Sequence, residues 1–174
     1  MSSAETVCLK TVRLTFFKDY ILVTAYSQGS GFKTTYQFSM SQGGTHLDWQ
    51  LASVTKIFHK FRTIFLPVGS LILGYDGNLI PPEWDNEADP SRWCELFRTF
   101  GNLKTLYIDK ELVGQISRFL QPDEGESPTD LVPELRELWY AATEDSDSGF
   151  FNKFVNARQN AGRPIAVWRA VFHR

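Results

Sequence analysis

The sequence predicts an α/β fold: parallel strands side by side, helices between them packed on one side, and a β-rich segment at the N-terminus. Two observations carry that expectation. A six-residue pattern, apolar at its first, fourth and sixth places, occurs at Val68, Leu71 and Leu73, again at Leu103, Leu106 and Ile108, and again at Leu135, Leu138 and Tyr140, at intervals of 35 and 32 residues. Such intervals are too long for a hairpin and suit a strand followed by a helix. The second observation is a change of hydrophobic period near Thr45, from alternation to steps of three and four.

Ahead of that change, Val12, Leu14 and Phe16 alternate with Arg13 and Thr15. This predicts a strand, a turn at Lys18 and Asp19, and a second strand to Tyr26. SQGSG at 27–31 follows as a loop, and TYQFSM at 35–40 alternates again. From Thr45, the residues Leu47, Leu51, Val54, Phe58 and Phe61 stack on one face of a helix expected to end near Thr63.

Later helices have chemical start and stop signals. Asp89 caps a first turn opened by Pro90; Trp93, Leu96, Phe97 and Phe100 form its buried face, with Gly101 as a left-handed exit. A helix after Asp109 buries Leu112, Ile116 and either Phe119 or Leu120, despite Gly114 in its interior. Another starts near Ser148, buries Phe150 or Phe151 with Phe154 and Val155, and ends at Gly162; Pro164 then admits a last strand, IAVW. The acidic loops at 122–130 and 143–148 face solvent, and Ser127 before Pro128 reads as loop chemistry rather than a modification site.

Strand–helix units joined by right-handed crossovers place successive helices on the same side, each unit covering its neighbour's apolar edge. The expected architecture is therefore a short leucine-rich-repeat-like solenoid forming a single domain over residues 1–174. The Asn or Cys of the usual repeat is replaced by Asp76, Glu111 and Thr143, so no Asn ladder forms. An ordinary open α/β sheet is the structural rival.

Bulk composition bounds the function. The 174 residues are 43% hydrophobic and 22% charged, enough to bury a core without disulfides or metal. The net charge of −2 offers no footprint for nucleic acid or anionic lipid, so neither is an expected partner. Two isolated cysteines, Cys8 and Cys94, fit reduced thiols, and no signal peptide or long apolar run appears, so a soluble cytoplasmic or nuclear protein is expected. His46, His59 and His173 are scattered. Asp85, Glu87 and Asp89 belong to a pre-helix loop, and no glycine-rich stretch matches a phosphate loop. No catalytic residue, cofactor or metal is expected.

The strings LDWQLASV (47–54), the long run from IPPEWDNEADP to LRELWY (80–140) and FVNARQNAGRPIAV (154–167) carry a likeness. They resemble the C-terminal, leucine-rich-repeat-like region of the F-box protein families of mushroom-forming (basidiomycete) fungi. The resemblance implies the recognition half of an adaptor that delivers protein targets to a Skp and cullin ubiquitin ligase. Nothing before Leu47 reads as an F-box, so a Skp-type adaptor is an expected partner only where an F-box lies upstream. The chain is then a fragment, or it binds without directing ubiquitination.

With the fourth and sixth pattern residues in the core, the fifth faces away. Those places hold Ile72, Tyr107 and Trp139, with Trp168 extending the row. Large rings side by side are typical interface anchors, and this row is the candidate protein-binding surface. Lys104, Arg136 and Glu137 flank it. The competing reading is a second core layer covered by the N-terminal β segment or a loop. Two alternatives stand beside recognition: a small α/β enzyme with a site at the strand carboxyl ends near Gly74, Asp76 and Asp109, or a truncated product without activity of its own.

Overall fold

The structure, a computed structural model, describes residues 8–27, 33–41, 47–76, 88–121, 130–142 and 149–171. In chain order its elements are β1 (Leu9–Phe16), β2 (Tyr20–Ser27), β3 (Lys33–Ser41), α1 (Leu47–Lys60), α2 (Arg62–Phe65), β4 (Ser70–Tyr75), α3 (Pro90–Arg98), β5 (Thr105–Ile108), α4 (Lys110–Phe119), β6 (Glu137–Ala142), α5 (Asn152–Asn160) and β7 (Ala166–Val171). The strands form one seven-stranded sheet in the order β3-β2-β1-β4-β5-β6-β7. The N-terminal three strands pair antiparallel, and β1, β4, β5, β6 and β7 run parallel. The expected α/β class and adjacent parallel strands at 68, 103 and 135 are thus observed, and β1 joins the parallel set. His46, His173, Asp85, Glu87, Ser127, Ser148 and the loops at 122–129 and 143–148 lie outside the described residues.

Alternation decides which side of the sheet is core. Val12, Leu14 and Phe16 on β1 align with Leu71, Leu73 and Tyr75 on β4, and Leu106 and Ile108 on β5 with Leu138 and Tyr140 on β6; all are buried. They join one continuous core with Leu51, Val54 and Phe58 of α1, Trp93, Leu96 and Phe97 of α3, Leu112 and Ile116 of α4, and Phe154 of α5. Ring contacts tie the layers together: Phe16 meets Trp93 edge-on at 6.0 Å, and Tyr140 meets Phe151 at 5.2 Å.

Several local expectations are corrected. Phe61 does not share the buried stripe of α1; the helix stops at Lys60, and Phe61 turns out to 46% exposure ahead of α2. Phe65 takes its place, packing on Phe58 at 4.3 Å. Gly101 is not a left-handed exit, since among the described residues only Gly162 has positive φ, at 72°. Instead α3 closes when the Thr99 hydroxyl donates to the Leu96 carbonyl at 2.6 Å. On α4 the buried choice is Leu120 rather than Phe119, and before α5 it is Phe151 rather than Phe150.

The expected cap at Asp89 forms, and Asp109 supplies a second. Asp89 accepts from the Ser91 amide at 2.9 Å with Pro90 in the first turn, and Asp109 accepts from the Lys110 amide at 2.8 Å. One buried cation had no sequence signal. Arg158, 1% exposed, donates to the carbonyls of Val132 at 3.0 Å and Leu135 at 2.9 Å, and lies over the Phe154 ring. Burial pushes its pKa below the ordinary value, Arg163 adds to that, and Glu134 opposes it. Its carbonyl partners belong to the segment leading into β6, so this contact ties α5 to the approach of that strand.

Candidate functional site

The site is built by register. Ile72 on β4 stands opposite Tyr107 on β5, Tyr107 opposite Trp139 on β6, and Trp139 opposite Trp168 on β7. All four predicted residues therefore form one line across four strands, on the side away from the core. Tyr107 and Trp139 stack with centroids 5.8 Å apart, and Trp139 and Trp168 at 5.2 Å, both pairs 20° from parallel. Tyr107 is 37% and Trp168 50% exposed; Ile72 and Trp139 are half-buried by their neighbours in the row. Among the described residues, then, neither the N-terminal strands nor a loop covers the row.

The line continues onto β1, where Arg13 stands opposite Ile72. On the strand-start side lie the small or polar Thr11, Ser70, Thr105, Glu137 and Ala166. Beyond the rings on the other side come Thr15, Gly74, Asp109, Ala141 and Ala170. The large rings stand as a ridge between two rows of small or polar residues, with a gutter beside it. The gutter toward the strand carboxyl ends opens into a groove of about 390 Å³ lined by Arg13, Ile72, Gly74, Tyr107, Asp109 and Trp139 among others.

The polar groups of this face differ in their freedom. The Asp109 carboxylate accepts from the Lys110 amide and, at 3.4 Å, from the Tyr75 amide, so it holds α4 and β4 together. Glu137 accepts from the Trp139 indole at 3.3 Å, which fixes the ring's tilt. Lys104 and Arg136 are exposed at the strand starts. His59 is an exposed residue of α1. Cys8 and Cys94 form no disulfide, and among the described residues no group of three or more His, Cys, Asp or Glu could hold a metal ion. No described helix is long and apolar enough to cross a membrane.

No protein-family model, curated protein or solved structure matches the chain.

Arg13 is the member of the site that sequence reasoning missed. It lies in the first strand of a local hairpin, and only the pairing of β1 with β4, more than fifty residues away, brings it to the end of the ring row.

Proposed function

We propose that this chain is a protein-recognition module that engages a target protein through the ring row of its sheet. The carrying observation is the in-register line of Ile72, Tyr107, Trp139 and Trp168, uncovered by described residues and presenting stacked, amphipathic side chains. Aromatic side chains of this kind dominate the energetics of protein interfaces because they bury much area at little rotamer cost. The finer architecture we propose is a short leucine-rich-repeat-like solenoid. Parallel strands added in sequence order at intervals of 35, 32 and 29 residues along the ring row support it.

The resemblance to fungal F-box proteins extends the proposal. This region acts as the target-binding part of an F-box-like ubiquitin-ligase adaptor, working in the cytoplasm or nucleus, with a Skp-type protein as partner where an F-box is present. The test is affinity capture from native extract with this chain and with a Tyr107→Ala, Trp139→Ala double variant of verified fold. A specific protein retained by the first and lost by the second, and rebinding when purified, is the expected result. Identical sets of captured proteins refute the reading.

A further inference from the structure

We infer that the occupant of the ring row is an acidic, extended protein segment carrying aromatic or branched aliphatic side chains. This rests on the recognition reading above and adds the chemistry of the partner.

Cations outnumber carboxylates on this side of the molecule. Backbone bonds run from the Gly69 amide to the Lys10 carbonyl at 3.0 Å, from the Lys104 amide to the Gly69 carbonyl at 2.8 Å, and from the Arg136 amide to the Lys104 carbonyl at 2.8 Å. They place Lys10, Lys104 and Arg136 along the edge where the parallel strands begin, and Arg13 closes the row of rings on β1. All four cations are exposed, and none has an ion-pair partner among the described residues. Three carboxylates share this side, Asp76 exposed just beyond β4, Asp109 bonded to backbone amides and Glu137 to an indole; each keeps its charge, and the four cations outnumber the three. A chain of net charge −2 thus carries a locally cationic recognition face. Complementary potential of this kind selects partners and speeds encounter.

Ring geometry selects protein over nucleic acid. Single strands bind on aromatic faces that lie open to the bases. Here Trp139 spends both faces, and Tyr107 and Trp168 one face each, on stacking at 5.8 and 5.2 Å, which leaves mainly edges for the visitor. Edges and a gutter suit aliphatic and aromatic side chains. From β1 to β7 the row crosses four inter-strand spacings, roughly 19 Å, which an extended segment spans with about six residues.

The experiment is selection of a displayed library of random twelve-residue peptides on the immobilised full chain, with enriched sequences synthesised and titrated by tryptophan fluorescence. Enriched peptides are expected to be net negative and to contain an aromatic or branched residue. Their affinity falls at least about tenfold in a Lys104→Glu, Arg136→Glu variant, and likewise in Trp139→Ala. Arg13→Glu, on a different strand, serves as the second variant should the double variant melt early. Neutral or basic winners, or acidic winners indifferent to both charge reversals, overturn this inference; where Trp139→Ala still abolishes their binding, the recognition reading survives. Absence of any enriched peptide overturns the recognition reading itself. A twelve-nucleotide oligouridylate that binds more tightly than any enriched peptide, and is lost on charge reversal, assigns the face to nucleic acid and refutes both.

Discussion

Replacing Arg158 by Met keeps an unbranched apolar stem and removes the charged guanidinium. Two guanidinium bonds are lost, to the Val132 and Leu135 carbonyls at 3.0 and 2.9 Å, with a marginal third to Pro133 at 3.5 Å. Bonds from a charged donor are each worth about 1.5–3 kcal/mol, so the gross loss is roughly 3–6 kcal/mol. Part of this is returned, because the cation is held at a cost that its lowered pKa records. The expected net loss is about 3 kcal/mol, or roughly 6–12 °C in melting temperature for a chain of this size. Urea denaturation measures the first quantity and scanning calorimetry the second. Hydrogen exchange supplies a local readout: amides of 135–140 lose protection before those of β1, since the Val132–Leu135 segment feeds β6. Arg158→Lys, with a single ammonium in place of a fork, recovers only part of the loss. A destabilisation below about 1 kcal/mol, or uniform loss of protection across the sheet, refutes the assignment of Arg158 as the support of β6.

Three further outcomes are expected. Gly114→Ala stabilises α4 by about 1 kcal/mol in urea denaturation, because a Cβ there meets nothing within 4 Å; a loss of stability refutes the open space. Trp139→Ala removes stacking on both sides and costs about 2 kcal/mol, with near-UV circular dichroism of the remaining rings changed; an unaltered spectrum refutes the stack. Asp89 is held below its ordinary pKa of 3.8 by hydrogen bonds from Ser91. Its ionised form therefore stabilises the fold at neutral pH, and that contribution is lost as the pH falls through the lowered value. Asp89→Asn, which caps without titrating, gives a flatter acid melting curve between about pH 5 and pH 2, and a curve parallel to the parent's refutes the cap's role.

The ring row was legible because two simple periods meet in it. Leu71, Leu73, Leu106 and Ile108 declare the core side of each strand, so the residue between them must face away, and equal placement within each repeat puts those residues in register. What stayed hidden depended on distant partners. Arg13 reads only as the polar half of an alternating strand until β1 is seen beside β4. Arg158 binds carbonyl oxygens, which every residue has, so its sequence neighbourhood contains no complementary acid to announce it. Gly101 was misread because glycine after a helix commonly adopts positive φ, whereas Thr99 had already closed the turn with its hydroxyl. Phe61 kept the helical spacing, but the helix had ended one residue earlier.

Among the described residues β7 pairs only with β6, and Val167 on its core side is 38% exposed although its register partner Leu138 is fully buried. The outermost ring, Trp168, therefore rides on an edge strand with a single hydrogen-bonded neighbour. Opening of the sheet should start there and peel inward, freeing the outer face of Trp139 as it goes. A visitor that grips Trp168 works against that fraying, so occupancy and the closing of the last strand become one equilibrium, readable as slower amide exchange at 166–171 when the face is filled.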